Sequence, residues 1–149
     1  MSNVDVNLYG TIHGGVVMKL VDDAAGAVAA RHSIGNAVTA YMDEMGFLSP
    51  VRVGDLVHAY AQVNWAGRTS MEIGVRVLAE PWDRAGTDRV HVASAYLVFV
   101  GVDAEGRPRP IPPVSLVDDE DRRRFREAQI RHDHRISRRR AILHSRTED

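Results

Sequence analysis

Cysteine is absent from this chain, lysine occurs once, and aromatic residues make up only 6% of it. Without a thiol there can be no disulfide, no thiolate metal ligand and no cysteine nucleophile. No apolar run approaches the roughly 20 residues that cross a bilayer as a helix. The N-terminus also lacks the basic, apolar and small-residue succession of a signal peptide. A cytoplasmic protein with no membrane partner is the expectation. Neither sign of charge prevails: 19 basic residues stand against 20 acidic ones, a formal net charge of -1. The molecule as a whole therefore carries no field that would gather nucleic acid. What remains is 149 residues, 44% hydrophobic and 26% charged, the size and make-up of one folded domain with a single core.

The residues that organise the chain are Asn7-Leu8-Tyr9-Gly10-Thr11-Ile12-His13-Gly14-Gly15 and the run that follows to about His32. Val17, Leu20, Val21, Ala24, Ala25 and Val28 recur at i, i+3, i+4 and i+7, which predicts an amphipathic helix over 16–32. Gly14 and Gly15 leave the first helical amides uncovered by side chains, open to close approach by another molecule. Those amides form the positive end of the helix dipole and favour negative charge or a polarised oxygen. Asp22 lies two turns further in, flanked by Val21 and Ala24 on the apolar stripe, where an unused carboxylate is costly. The alternative is an exposed helix carboxylate paired with Lys19 or Arg31. Asp23 is turned about 100° away and reads as solvent-facing or interfacial.

Gly35 is placed to close the helix in a left-handed conformation. Strands are expected over 37–47, 56–65, 69–80 and 89–102. The second and third alternate apolar and polar residues across the short link Ala66-Gly67-Arg68. The last is apolar enough to be central, with both faces buried. One long helix followed by an antiparallel sheet makes an α+β domain, the sheet wrapping the helix, over residues 1–116. Strands this apolar leave surface over for self-association. From Val117 the composition changes: Asp118-Asp119-Glu120-Asp121 precedes Arg122-Arg123-Arg124 and a helix-compatible stretch to about Leu143. Between Asp118 and Asp149 ten arginines face eight acids. Residues 117–149 thus read as a charged, arginine-rich extension, a solvated helix or partly disordered, rather than a nucleic-acid arm.

Several short motifs occur together: Asn7-x-x-Gly10-x-x-His13-Gly14-Gly15, Met18-Lys19-Leu20-Val21-Asp22-Asp23-Ala24-Ala25-Gly26, Val38-Thr39-Ala40 and Phe47-x-x-Pro50. Val53-Gly54-Asp55, Gly67-Arg68-Thr69-Ser70-Met71-Glu72 and Pro110-Ile111-Pro112-Pro113 follow. In order and spacing the chain resembles, over about residues 5–113, the cytosolic acyl-CoA hydrolases of the hotdog-fold thioesterase superfamily. The resemblance implies a central helix wrapped by an antiparallel sheet, and two subunits joined edge to edge with active sites at their interface. It implies hydrolysis of acyl-CoA thioesters to free acid and CoA, with no cofactor, CoA being part of the substrate. By motif position Asp22 is the catalytic carboxylate, Asn7 its polar partner from the other subunit, and Arg68-Thr69-Ser70 the tract near the CoA phosphates. The implied assembly is a homodimer, alone or within a trimer of dimers. One departure stands out. Only six residues precede Asn7, where family members carry a strand's length, so the first strand is absent or very short, or the start lies upstream of Met1.

Thioester hydrolysis needs a group that orients or deprotonates water and donors that hold the oxyanion. Asp22 suits the first role as general base, or can attack directly and form a mixed anhydride. The amides at Gly14 and Gly15 suit the second. Asn7 can hold the water or the carbonyl, or merely stabilise an Asx turn. His13 reads as a loop brace, and His32, His58 and His91 as packing residues, with no cluster to hold a metal. Arg68, Thr69 and Ser70 offer a guanidinium and two hydroxyls to a phosphate, or form a hairpin link facing water. Arg107 and Arg109 can add charge near the nucleotide. Two other functions compete: a non-catalytic acyl-CoA sensor, and a hotdog hydratase. The hydratase needs a Gly-Asp-x-Asn-Pro-like motif, which Gly54-Asp55-Leu56-Val57-His58 does not match.

Overall fold

The computed structural model describes every residue except Ser2, Ala85, Thr87, Glu148 and Asp149. The expected helix is α1, Gly14–Ser33. The four strands are β1 (Ala37–Phe47), β2 (Leu56–Ala66), β3 (Ser70–Glu80) and β4 (Val90–Gly101), each within a residue of its expected span. They form one antiparallel sheet in the order β1-β4-β3-β2. Among the described residues no strand precedes α1. Asn3–Asp5 make a 3-10 turn and Val6 forms a single bridge with Ile12, so β2 is an outer strand.

The helix meets the sheet along a narrow line. Val17, Val21, Ala25 and Ala29 recur every four residues and are at most 2% exposed, while Leu20, Ala24 and Val28 are half-buried on its flanks. They join Met71, Ile73, Val75 and Val77 of β3 and Ala93, Ala95, Leu97 and Phe99 of β4 in one core. Each large aliphatic chain buried there contributes about 1.5–3 kcal/mol. Leu97, Val98 and Phe99 are all buried, the two-faced burial expected of a central strand.

The helix stop differs in detail from expectation. Ile34, not Gly35, takes the left-handed conformation, at φ 54° and ψ 49°. That geometry strains a β-branched residue, and the surroundings hold it. Arg109 donates from Nη1 to the Ser33 carbonyl at 3.0 Å and from Nε to the Val102 carbonyl at 3.0 Å. Gly35 follows at φ 153°, a conformation that residues with a side chain rarely adopt, and Arg109 Nη2 lies 2.6 Å from where its Cβ would be. Arg109 is therefore committed to backbone carbonyls, and Arg107 pairs with Asp103 and Glu105.

The second helix, α2, spans Asp119–Ser145 and is capped by Asp118, whose side chain accepts from Asp121 N at 2.8 Å. It is not simply a solvated extension. Along its length Trp65 Nε1 of β2 donates to Gln129 at 2.9 Å and Arg131 pairs with Glu72 of β3. Further on, Arg135 pairs with Asp43 of β1 and Arg139 donates to the Tyr41 hydroxyl. The helix thus crosses the sheet face opposite α1, with Ala128 only 1% exposed. That face, expected to be left over for self-association, is covered in part by the chain's own C-terminal segment. Glu72, itself 2% exposed, accepts from Asn64 and from two nitrogens of Arg131 at 3.0 and 2.7 Å. Burial works against the Arg131 charge, but the hydrogen bonds and charge of Glu72 hold its pKa above the ordinary value. Tyr96 lies 3.7 Å beneath the guanidinium, adding a cation–π contact.

Candidate active site

The turn before α1 is built around Asn7. Its Oδ1 accepts from Tyr9 N at 2.9 Å and Thr11 N at 3.2 Å, its Nδ2 donates to Thr11 Oγ1, and its backbone N–H donates to the Thr11 carbonyl. This is an Asx turn, and within one chain the Asn7 side chain has no hydrogen bond to Asp22. The turn holds Leu8 and Tyr9 fully in solvent, at 102% and 92% exposure. Two such side chains at a loop tip are poised to meet another molecule.

His13 follows as the N-cap. Its Nδ1 accepts from Gly15 N at 3.0 Å, and its carbonyl accepts from Val16 N at 2.9 Å, so it braces the loop. The pair of glycines is thereby divided. The Gly15 amide is already engaged by His13, whereas among the described residues no hydrogen bond engages the Gly14 amide. The Phe47 ring closes over this end, 3.5 Å from where a Gly14 Cβ would be, an ordinary packing distance.

Two turns along α1, the two aspartates part ways. Asp23 forms a 2.6 Å ion pair with Lys19, both side chains well exposed; that hydrogen bond and charge raise the Lys19 pKa. Asp22 is half-buried and turns towards the sheet, where its Oδ1 accepts from Thr39 Oγ1 of β1 at 2.8 Å. Among the described residues no hydrogen bond engages its Oδ2. Lys19 serves Asp23, and no ion pair joins Asp22 to Arg31. Thr39 was missed as a site residue in the sequence: it is an ordinary strand residue, and its role depends on a contact 17 residues away in the chain.

Asp22 is eight residues beyond Gly14, about 12 Å along the helix axis, and the first N–H groups of a helix point outwards from its N-terminus. The two groups are therefore set well apart along the helix of a single chain.

The tract Arg68-Thr69-Ser70 forms the β2–β3 connection. Its backbone is committed: the Arg68 carbonyl accepts from Ile111 N, the Thr69 carbonyl from Gly101 N, and the Ser70 carbonyl from Gly67 N. The Arg68 side chain is exposed, and among the described residues no hydrogen bond engages it. Sheet register aligns Thr39 with Phe99 and Phe99 with Met71, so this connection sits at the Thr39 end of the sheet, two strands or about 10 Å across. The histidines pack locally: His32 Nε2 lies 2.9 Å from the Pro112 carbonyl, His58 pairs with Glu80, and His91 contacts Ser94. Asp55 is buried in its own turn, accepting from Arg52 N.

A long helix wrapped by one antiparallel sheet is the hotdog arrangement. The chain belongs to the thioesterase superfamily, whose family model matches residues 9–83. It is similar to the cytosolic acyl coenzyme A thioester hydrolase of Mus musculus, 38% identical over 128 residues, which is 86% of this chain and 34% of that protein. The chain thus spans about a third of that relative's length. Among solved structures, an apo hexameric acyl-CoA thioesterase has a TM-score of 0.87 at 34% identity, over 93% of this chain and 87% of that one. The Staphylococcus aureus acyl-CoA hydrolase in complex with butyryl coenzyme A, coenzyme A and coenzyme A disulfide has a TM-score of 0.86 at 31% identity, over 97% and 87%. Variants of that enzyme with an asparagine, an aspartate or a threonine replaced by alanine are similar to the same extent.

Proposed function

We propose that the chain hydrolyses acyl-CoA thioesters to a free carboxylic acid and CoA, in a site assembled from two copies. The observation that carries this reading is the Asp22–Thr39 contact. The three residues varied in the S. aureus hydrolase are separated by 15 and 17 positions, the same separations as Asn7, Asp22 and Thr39 in this chain.

Thr39 fixes Asp22 through one carboxylate oxygen and leaves the other for water. Water attacks the thioester carbonyl carbon, Asp22 takes its proton, and negative charge collects on the carbonyl oxygen. The Gly14 amide of the second copy, at the positive end of its helix, receives that oxygen. The carbon–sulfur bond then breaks, and the proton held by Asp22 passes to the departing CoA sulfur. Direct attack by Asp22 to give a mixed anhydride, later hydrolysed, uses the same groups. Gly15 contributes a donor only when His13 releases it. Asn7 of the second copy, next to exposed Leu8 and Tyr9, orients the water or the carbonyl. Arg68, with Thr69 and Ser70, receives the CoA phosphates. No cofactor enters the scheme, since CoA is part of the substrate.

The separation of Asp22 and Gly14 along one helix supports a two-copy site. The open edge of β1, which carries Thr39, is the natural seam for edge-to-edge pairing. The hexameric relatives support a trimer of such dimers, and the cytosolic mouse relative supports a cytoplasmic location. The test is thiol release from a panel of acyl-CoAs. Native protein releases CoA, Asp22→Asn loses about 100-fold or more in kcat, and Asp23→Asn stays near native. No release from any chain length would leave an acyl-CoA sensor as the better reading.

A further inference from the structure

We propose that Arg135 and Asp43 are positioning residues for the reaction, acting through the bulged edge strand β1 on the Thr39–Asp22 contact. The inference rests on the reading of Asp22 as the reacting carboxylate.

In a regular strand, residues two apart point to the same face. Thr39 and Tyr41 do not. Thr39 reaches Asp22 of α1 on one face, and Tyr41 lies under Arg135 and Arg139 of α2 on the other. The pairing with β4 explains why: it slips between Thr39 and Tyr41, and again between Met42 and Glu44, so Ala40 and Asp43 are extra residues. The first bulge is what aims the Thr39 hydroxyl at the carboxylate. A slip back to regular pairing would turn that hydroxyl to the other face.

Two bulges in six residues interrupt the regular ladder between β1 and β4, so side-chain contacts outside the ladder bear on the strand's register, in one copy as in the paired assembly. Met42 and Met45 pack on the core from within. From outside, Asp43 of the second bulge makes a 2.9 Å ion pair with Arg135, the side chains only 9% and 11% exposed. Arg135 is itself fixed by His132 Nδ1 at 2.9 Å, and His132 lies against the Trp65 ring. The C-terminal helix thereby grips the strand four residues from Thr39, on the face away from the substrate. Neither Arg135 nor Asp43 touches the reacting atoms.

The test is a double-variant cycle on acyl-CoA hydrolysis with native protein, Arg135→Gln, Thr39→Val and the double variant. Arg135→Gln should lower kcat about tenfold with KM little changed, and should cost nothing further once Thr39 is valine. Asp43→Asn, which keeps an oxygen for Arg135, should show the same pattern more weakly. Amide exchange should rise in residues 37–42 of Arg135→Gln and stay native in β3. An unchanged kcat, or the same loss in both Thr39 backgrounds, would overturn the proposal. If native protein releases no thiol at all, the hydrolase reading fails. Unaltered exchange in β1 would then refute the grip on its own account.

Discussion

The two helices cover opposite faces of one sheet and do so by different chemistry. Helix α1 uses valines and alanines every four residues against an apolar core. Helix α2 has one fully buried side chain, Ala128, and is held by arginines that reach Glu72, Asp43 and Tyr41. Apolar burial is non-directional and tolerant of small shifts, whereas a buried ion pair has one good geometry and is costly when half of it is removed. The inner helix therefore carries the apolar core and the carboxylate proposed to react. The outer helix supplies register, gripping the strand that presents Thr39.

Removing one side of each attachment is the strongest way to sharpen this contrast. Glu72→Ala leaves Arg131 uncompensated and Asn64 without its acceptor, and should cost about 3 kcal/mol, roughly 10 °C in Tm by calorimetry. Val21→Ala, two methyl groups lost from a fully buried site, should cost about 2 kcal/mol. If the Glu72 variant proves the milder of the two, α2 is a looser cover than its contacts indicate.

The helix caps give a smaller effect. His13→Ala should cost about 1 kcal/mol and free the Gly15 amide, so the loss of stability comes with an altered kcat. Asp118→Ala should cost a similar amount and leave kcat native. Equal kinetic effects would mean that the start of α1 has no special part in the chemistry.

Least of all is a pH effect in the loop after β4, which belongs to neither helix. The Arg107 backbone N–H holds the Asp103 carboxyl below its ordinary pKa, helped by the Glu105 amide and the Arg107 side chain. A lowered folded pKa means stability that is present above about 3.9 and is lost as pH falls through the folded value. Asp103→Asn should therefore flatten the acid limb of the unfolding curve slightly and leave the neutral range of the curve unchanged in shape.

The same contrast explains what could be read in the sequence. Local periodicity set out α1 and all four strands, because Val17, Val21 and Ala25 or Val75 and Val77 carry their burial in their spacing. Asp22 stood out as a carboxylate beside that stripe. The helical character of 119–145 was visible, but its docking was not: Arg131 and Arg135 are two arginines among ten, and only the fold says which of them face Glu72 and Asp43. Thr39 was hidden for a like reason. Its partner lies on another element, and its direction depends on a bulge that no alternation pattern announces. Gly15 looked equivalent to Gly14 until His13 took its amide, and Ile34 took the left-handed place that Gly35 seemed made for.

In the proposed assembly each site joins Asp22 and Thr39 of one copy to Asn7 and Gly14 of another. This sharing is tested most directly by complementation. Asp22→Asn and Asn7→Ala chains, each inactive alone, are co-expressed with different affinity tags, and thiol release is measured on the doubly tagged assemblies. A shared site predicts that each mixed dimer regains one intact site of its two, so the doubly tagged dimers should show about half of native activity per dimer. Activity no higher than that of either variant alone would contradict it and return the whole site to a single chain.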